Sequence, residues 1–259
     1  MKNDRSIDLG LTGYEELFMS MEERLDAKKP KVEAIPLADL TPFRNHPFKV
    51  KEDEEMAQLM RSIADAGVLS PALARPLPDG GYELISGHRR LAACQVLGVE
   101  TMPVIVRDLS DDEAVIAMVD ANLQRETILP SEKAFAYKMK LDAIKHQGVT
   151  SRQLGEKLLS ITQVSKDSDD SERQIQRYIR LTCLIPELLS MVDDKKIAFN
   201  PAVEISYLDR DEQLTLLDAI NMNDCTPSHA QSIRLKKMSQ DGLLTACLLY
   251  TSPSPRDCS

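Results

Sequence analysis

The pattern of hydrophobic and polar positions changes character at about residue 110. Before it, short alternating stretches predict strands at 32–37, 71–77, 81–86 and 102–109. Apolar residues at helical spacing predict two helices in the same region, at 53–67 and 87–98. Each of these helices ends on a glycine, the residue that most easily adopts the left-handed conformation found there. The pattern therefore predicts a small mixed α/β domain over residues 31–130.

From Ser110 onward the periodicity is that of helices. Ser110 and Glu113 have the spacing of a capping box at the start of one helix. Ser131 is predicted to cap a longer helix that ends at Gly148. Its apolar stripe consists of Ala134, Tyr137, Leu141 and Ile144.

The later helices are separated by polar or proline-containing segments. Thr150 or Ser151 is predicted to cap a short helix, and Ser171 a longer one over 172–185. Three further helical stretches are marked by Pro186, Pro201 and Pro227. Residues 131–242 are therefore predicted to form an all-helical domain, which places the chain in the α+β class.

The two ends differ from the rest of the chain. Residues 1–30 are polar and charged with one weakly amphipathic piece, and we expect a mobile arm. Near the other end, "ACLLYTSPSPRDCS" changes abruptly from an apolar run to serine and proline. We interpret residues 243–259 as a non-native tail and leave them out of the fold prediction.

Composition says more about where the protein is located in the cell than about the reaction or ligand it serves. The net charge of −9 gives no overall attraction to nucleic acid, so any DNA binding must depend on a local basic patch. The five cysteines lack C-x-x-C spacing, which argues against a zinc site and favours reduced thiols. The chain also lacks a membrane-length apolar run and a signal-peptide core. We expect a soluble cytoplasmic protein without a membrane partner.

The stretch Gly87-His88-Arg89-Arg90 stands between a predicted strand and a predicted helix. Its arginines fall in the first helical turn, where the helix dipole is already positive and cations are unfavourable. An anion would make this arrangement favourable, because free N–H groups and guanidinium groups meet there. The alternative is that Arg89 and Arg90 are surface residues paired with nearby acids.

A second polar group falls between two predicted helices. Asn122, Gln124, Arg125 and Glu126 combine carboxamide, guanidinium and carboxylate groups. Amide and carboxylate oxygens are ligands for Mg²⁺, which also uses water and phosphate oxygens. The alternative is an ordinary polar corner between helices.

The helix after Ser171 has a basic face. Arg173, Arg177 and Arg180 recur at i, i+4 and i+7, with Ile175 and Ile179 on the other side. Such a helix suits DNA recognition, since it packs inward and presents arginine to phosphates or guanine edges. Any charged helix has a similar pattern, and the insert before it is long for a helix-turn-helix.

In their order along the chain, the motifs resemble those of the ParB family of chromosome- and plasmid-partition proteins, in particular its mobile-element branch. The resemblance runs from about residue 32 to 242. The matching segments are "LTPFRNHPF", "GVLSP" at Gly67–Pro71, "GHRRLAA" at Gly87–Ala93 and "ANLQRETILPSEKA" at Ala121–Ala134. A helix-turn-helix region follows, as in the family.

The resemblance implies a first domain that binds CTP with Mg²⁺ and a helix-turn-helix that binds a palindromic DNA site. It also implies a homodimer that closes as a clamp on DNA, with a ParA-type ATPase as a partner. The implied nucleotide-binding residues are Ser70, Gly87, His88, Arg89, Arg90, Asn122, Gln124, Arg125 and Glu126, with Asn122 at the metal. The implied DNA-binding residues are Arg173, Gln174, Arg177 and Arg180.

Two residues depart from the family pattern. His88 replaces the glutamate of the "G-E-R-R" box, and Ala121 replaces the glutamate before the metal-binding Asn122. Asp120 is one position away, which is about 100° around a helix. Turnover of CTP is therefore expected to be weak or absent, and the enzyme class stays open.

Two alternative functions share these features. A transcriptional or nucleoid-occlusion regulator with an inactive nucleotide site would show the same motifs. Sulfiredoxin, a repair enzyme on the same small fold, needs a reactive cysteine where this chain has Gly87. Cys94 is nearly two helical turns further on, so it is not expected to replace that nucleophile.

Overall fold

The computed structural model describes residues 31–48, 53–125, 127–148, 161–165, 168 and 170–244. The predicted N-terminal arm, the helix predicted after Thr150 or Ser151, and Glu126 lie outside the described residues. All but two residues of the predicted tail also lie outside them.

The strands form one mixed five-stranded sheet in the order β1-β5-β3-β4-β2. Their bounds are β1 Val32–Pro36, β2 Leu40–Pro42, β3 Ala72–Pro76, β4 Tyr82–Ser86 and β5 Thr101–Val106. Four of them confirm the predicted strands. The sequence did not predict β2, because its proline favoured a loop. As an edge strand that pairs in parallel with β4 alone, β2 tolerates Pro42 without losing an interior hydrogen bond.

Three helices cover the two faces of this sheet. They are α1 Glu54–Ala66, α2 His88–Leu97 and α3 Asp111–Leu123. On one face Leu84 of β4 packs in a cluster with residues of α1 and α2, including Ile63 and Leu91. On the other face Ile85 packs with α3. β4 is thus buried on both faces, and its carboxyl end, at Gly87, lies among all three helices.

The remaining helices form the second half of the described chain. They are α4 Pro130–Gly148, α5 Glu172–Leu181, α6 Pro186–Asp193, α7 Phe199–Ile205, α8 Arg210–Asn223 and α9 His229–Gln240. The predicted stripe of α4 is confirmed, since Ala134, Tyr137, Leu141 and Ile144 are all buried. The α+β fold class is confirmed: a mixed sheet domain precedes a region of helices.

The sequence was wrong about the start of α4. Ser131 is the second residue of the helix, and its backbone N–H and hydroxyl both donate to Asp193 of α6, at 3.0 and 2.5 Å. Ser131 therefore attaches α6 to α4 instead of capping a helix. The Leu129 N–H is satisfied instead by the side chain of Glu132, at 3.2 Å.

The later helices differ from the prediction at two points. α5 ends at Leu181, four residues before the predicted end. Four helices follow it in the described chain, not three, because α7 and α8 are separate. No proline or glycine marks their junction; the signal was the capping box of Asp209 and Glu212, which opens α8.

Two further features concern the length of the helices and the state of the cysteines. None of the helices among the described residues is long and apolar enough to cross a membrane. Cys94 and Cys183 are free thiols, whereas Cys225 is disulfide-bonded. Cys225 therefore departs from the expectation of reduced thiols.

Candidate nucleotide site and DNA-binding helix

Gly87 joins the sheet to the candidate anion site. It has φ 106° and ψ 19°, a left-handed conformation in which its carbonyl accepts the Leu91 N–H at 2.9 Å and begins α2. A Cβ atom at this position would lie only 2.9 Å from the Cβ of Ala72. Both the backbone conformation and the close approach to β3 therefore require glycine here. The turn directs the free N–H groups of α2 toward the carboxyl end of β4.

The motifs recognised in the sequence meet around one cavity of about 520 Å³. The end of α1 and the turn after it form one side, the junction of β4 and α2 another, and the end of α3 a third. The predicted nucleotide-binding residues that line it are Ser70, Gly87, Arg89, Arg90, Asn122 and Arg125. Apolar residues of the α1 side, among them Leu59, Val68 and Leu69, also line the cavity. A volume of this size is in the ordinary range for a small-molecule site.

Arg89 is held by two carboxylates. Its Nη2 lies 2.7 Å from Oδ1 of Asp53, and its Nη1 lies 2.9 Å from Oε2 of Glu55. The pairing with nearby acids that the alternative expects is therefore present at Arg89, whereas Arg90 bonds backbone carbonyls instead. The Nε of Arg89 is buried and has no hydrogen-bond partner in the described part of the chain. Arg89 thus has a carboxylate partner at each terminal nitrogen and no acceptor at Nε in the described part of the chain.

Arg90 shapes the wall of the cavity. Its Nη1 donates to the backbone carbonyls of Ser70 and Pro71, the latter at 2.9 Å. These bonds hold the turn after α1 against the start of α2. Burial lowers the pKa of Arg90 from its ordinary value. Through these bonds Arg90 positions the turn. Its Nη2 lies near Gly87, at 3.2 Å from the place that a Cβ atom on this glycine would occupy.

Arg125 differs from both. Within the described ranges it has no ion pair at 4.0 Å or less. Burial lowers the pKa of Arg125, and the positive charge of Arg89 lowers it further. The guanidinium carbon lies 5.8 Å from the centre of the Phe48 ring. Arg125 is therefore a cation at the cavity that retains donors for an anion.

Asn122 is buried and its amide orientation is set. Its Nδ2 donates to the Met118 carbonyl at 2.7 Å. Asn122 lines the cavity, and its side-chain oxygen remains as an acceptor for a ligand there. The described residues contain no group of three or more histidine, cysteine or acidic side chains that could hold a metal ion. Asn122 fits Mg²⁺ as a single protein ligand, because this ion takes most of its other ligands from phosphate and water.

The missing family glutamate has no substitute on α3. Ala121 lines the cavity, whereas Asp120 bonds Nζ of Lys140 on α4 at 2.6 Å. Lys140 is only 1% exposed, so this ion pair belongs to the contact between α3 and α4. The helical displacement of Asp120 from the site is therefore confirmed.

His88 and Gln124 do not line the cavity, although the resemblance placed them in the nucleotide site. Gln124 is exposed at the end of α3. The His88 ring is buried, and its Nε2 accepts the backbone N–H of Phe43 at 3.2 Å. Its ring centre is 4.0 Å from that of His46. His88 therefore attaches the proline-rich loop 43–48 to the start of α2.

The same loop has a second attachment that the sequence analysis did not identify. The Arg44 backbone N–H donates to Oε1 of Glu83 at 3.2 Å, and Oε2 of Glu83 accepts Nε of Arg75 at 2.7 Å. Phe43 and Phe48 are buried against α3. No local pattern marks this attachment, because Glu83 lies 39 residues from Arg44 and the contact depends on the tertiary fold.

We predict that acid destabilises the protein through the histidine pair. Burial lowers the pKa of His88 from 6.5 to about 3, and the nearby charges of His46 and Arg125 act in the same direction. Between these values the unfolded chain binds a proton that the folded chain does not. This contribution is complete above pH 6.5 and is lost as the pH falls below it. The free energy of unfolding should fall by roughly 1.4 kcal/mol per pH unit for one such histidine.

Urea denaturation from about pH 7 to about pH 5 measures this effect. His88→Gln keeps an acceptor for the Phe43 N–H and should flatten the pH dependence. His229→Gln, at an exposed position on α9, should keep it. Equal slopes for His88→Gln and the unchanged protein would contradict the prediction.

Cys94 gives no support to a repair enzyme. It is fully buried between α2 and the sheet, and burial raises the pKa of its thiol. A thiolate nucleophile needs an exposed position and a lowered pKa. The expectation that Cys94 does not replace the nucleophile of sulfiredoxin is confirmed.

The candidate recognition helix α5 has the predicted two faces. Ser171 caps it by accepting the Gln174 N–H at 3.3 Å. Ile175 is fully buried, and Ile179 packs on the same cluster. Arg173 is exposed, as is Gln176, which the sequence analysis did not single out. Both exposed side chains are available for contact with another molecule.

The other two arginines of α5 contact the helices that follow it. Nη1 of Arg177 donates to Oε1 of Gln174 at 3.2 Å, Nη2 donates to Oδ1 of Asn200 at 2.5 Å, and its guanidinium is 5.0 Å from the Phe199 ring. Arg180 donates to the Ser206 carbonyl at 2.7 Å.

These contacts separate two roles. Arg177 donates to the side chains of Gln174 and Asn200, and these bonds orient its guanidinium at the surface. Arg180 also lies over the ring of Tyr207, at 4.2 Å, so it packs α5 against the turn after α7. Arg177 is thus prepositioned for a ligand, whereas Arg180 contributes to the fold.

A tether that the sequence analysis missed fixes the residue before Ser171. Oδ2 of Asp170 accepts the hydroxyl of Tyr137 at 2.6 Å and lies 2.5 Å from Nζ of Lys133. Tyr137 and Lys133 belong to α4. Asp170 therefore anchors the start of α5 to α4, at the end of the long insert.

Comparison with known proteins identifies the family. The model of the ParB N-terminal domain matches residues 21–123. The chromosome-partitioning protein Spo0J of Thermus thermophilus is 30% identical over 214 residues, which cover 81% of this chain and 74% of that protein. The chain belongs to the ParB family.

Other similar proteins have different names. The nucleoid occlusion protein of Bacillus thuringiensis is 30% identical over 225 residues, 85% of this chain and 73% of that one. A solved structure, the truncated chromosome-partitioning protein ParB of Caulobacter crescentus complexed with CTP-γ-S, is 25% identical. The likeness covers 74% of this chain and 99% of that one, with a TM-score of 0.35. The ParB family therefore includes both partition and nucleoid occlusion proteins among the relatives of this chain.

Proposed function

We propose that this ParB-family chain is a DNA-binding partition protein that binds CTP with Mg²⁺ and loads as a clamp on centromere-like DNA. The DNA would belong to a chromosome, plasmid or mobile element in the cytoplasm. The clamp is a homodimer, with a ParA-type ATPase as its partner. The observation that carries the proposal is the convergence of three separate motifs on one cavity at the start of α2.

Each part of the nucleotide has suitable surroundings. The phosphates suit the N-terminus of α2, where Arg89 and Arg125 add positive charge to the helix dipole. The base suits the apolar side formed by Leu59, Val68 and Leu69, next to the Ser70 carbonyl. Mg²⁺ would be held by the Asn122 carbonyl oxygen and by phosphate oxygens, and it would neutralise part of the phosphate charge.

DNA binding is assigned to the exposed face of α5. Arg173 and Arg177 supply charge for phosphates or guanine edges, and the Gln174 side chain orients Arg177. The inward contacts of Arg180 leave it a supporting role. The Asp170 tether keeps α5 at a constant position relative to α4.

Calorimetric titration of the full chain with CTP, and in parallel with ATP, in the presence of Mg²⁺ tests the nucleotide assignment. Saturable binding of CTP in preference to ATP is the expected result. Equal binding of both would contradict base selectivity, and no binding of either would contradict the nucleotide site.

A second candidate function is a DNA-binding transcriptional or nucleoid-occlusion regulator whose nucleotide site is inactive. Ala121 and the similarity to nucleoid occlusion proteins favour it. Specific DNA binding that is unaffected by CTP, together with no release of phosphate from CTP, would support this candidate. DNA binding that changes with CTP would support the clamp.

A further inference from the structure

Asp53 and Glu55 occupy the two terminal nitrogens of Arg89 that a phosphate would also use. Asp53 caps α1 by accepting the Met56 N–H at 2.9 Å, and the same oxygen lies 2.7 Å from Arg89. Glu55 reaches Arg89 from the first turn of the same helix. Its side chain is 71% exposed, so it can leave Arg89 without disturbing the core.

The guanidinium itself is held in place, and its Nε–H is a donor that the two carboxylates do not use. The Arg89 side chain is 25% exposed, and its Nε is buried without an acceptor in the described part of the chain. A buried donor without a partner is unfavourable, and an anion with several oxygens at the start of α2 would satisfy it. Two carboxylates therefore neutralise Arg89 but do not use all of its donors.

Each carboxylate places one oxygen on one terminal nitrogen of Arg89. A phosphate that binds the guanidinium through two oxygens would use the same two nitrogens, so it competes with both carboxylates. A triphosphate that bonds Arg89 would lie next to both carboxylates. The negative charges of the phosphates and the carboxylates would repel each other. The repulsion is stronger than in bulk water, because the site is partly shielded from solvent. Binding must therefore displace Asp53 and Glu55 or bring a cation that reduces the repulsion.

We propose that Asp53 and Glu55 form an acidic latch, which competes with nucleotide phosphates for Arg89 and makes the site select the metal-bound triphosphate. This inference rests on the proposed nucleotide-binding function of the same cavity. With the latch engaged, free triphosphate meets two carboxylates and binds weakly. With a divalent cation on the phosphates, the repulsion falls and Arg89 exchanges its carboxylates for phosphate oxygens.

The variant that tests the latch is Asp53→Asn with Glu55→Gln. Asparagine is as good an N-cap as aspartate, so α1 keeps its start while both charges are lost. Glu54→Gln is the matched control, because Glu54 is in the same helical turn and has no ion pair with Arg89. The control reproduces the loss of an acid near the N-terminus of α1 and leaves Arg89 paired.

The full-length proteins are titrated by calorimetry with CTP and with inorganic tripolyphosphate, each with Mg²⁺ and with EDTA. In Mg²⁺ the double variant should bind both ligands about three- to tenfold more tightly than the unchanged protein, as expected for the loss of competing ion pairs. The gain should be larger in EDTA, so the dependence on Mg²⁺ should decrease. Glu54→Gln should stay within about twofold of the unchanged protein.

The outcomes separate the latch from the function on which it rests. Equal affinities in the unchanged protein and both variants would overturn the latch and leave the nucleotide site in place. Weaker binding by the double variant would mean that the carboxylates help to hold the ligand, and it would also overturn the latch. No binding of CTP or tripolyphosphate by any of the three proteins would overturn the proposed function itself.

Discussion

Arg89→Ala is expected to reduce CTP affinity by at least about 100-fold and to leave binding to specific DNA largely unchanged. The side chain offers two terminal nitrogens and an unpaired Nε at the start of α2. Hydrogen bonds to charged groups contribute roughly 1.5–3 kcal/mol each, so two of them account for a loss of this size. Calorimetric titration with CTP and Mg²⁺ measures it, and a DNA-binding assay on the same preparation shows that α5 is still intact.

Arg61→Ala is a suitable control for this prediction. Arg61 is exposed on α1, and no salt bridge of it is found among the described residues. The substitution removes one positive charge from α1, but it removes no donor from the cavity, because Arg61 does not line it. CTP affinity should therefore change little in Arg61→Ala. Equal affinities in Arg89→Ala and the unchanged protein would remove Arg89 from the phosphate site.

Arg177→Ala is expected to weaken specific DNA binding. Gln174 and Asn200 hold the guanidinium at the surface of α5, so little conformational freedom would be lost on binding. If Arg177 contacts a phosphate, the dependence of log K on log salt should lose about one unit of slope. If it reads guanine, about 1–3 kcal/mol of discrimination between sequences should be lost. Fluorescence anisotropy over a series of salt concentrations, with specific and altered DNA, distinguishes the two.

Arg180→Ala provides the contrast on the same helix. It removes one bond to the Ser206 carbonyl and the contact with the Tyr207 ring, so we expect a loss of roughly 1–2 kcal/mol in the free energy of unfolding. The salt slope of DNA binding should not change. A reduced slope in Arg180→Ala with an unchanged slope in Arg177→Ala would reverse the roles assigned to the two arginines.

The tertiary structure resolves the two departures from the family pattern in different ways. His88 serves as an acceptor for the backbone of the proline-rich loop and takes no part in lining the cavity. Ala121 does line the cavity, and it leaves the end of α3 without a carboxylate there. We therefore predict that the first substitution makes stability depend on pH and that the second weakens any turnover of a bound nucleotide.

Local patterns were enough to predict most of the secondary structure. Strands β1, β3, β4 and β5 follow from alternation, and α1 and α2 end at Gly67 and Gly98 because glycine accepts a positive φ. The errors occurred where a partner distant in the chain decides the structure. β2 exists because β4 pairs with it, and Ser131 bonds Asp193, which is 62 residues away.

The candidate site shows the same division. The sequence alone determined which chemical groups are present: a glycine turn, arginines at the start of a helix and an asparagine at the end of another. Only the tertiary structure placed Asp53 and Glu55 on Arg89, over separations of 36 and 34 residues, and turned Asp120 toward Lys140. Periodicity and capping depend on neighbours within a few residues, so they can be read from the chain. Ion pairs and cavity walls depend on how the sheet and its helices pack. The local pattern contains no information about which distant residues this packing brings into contact.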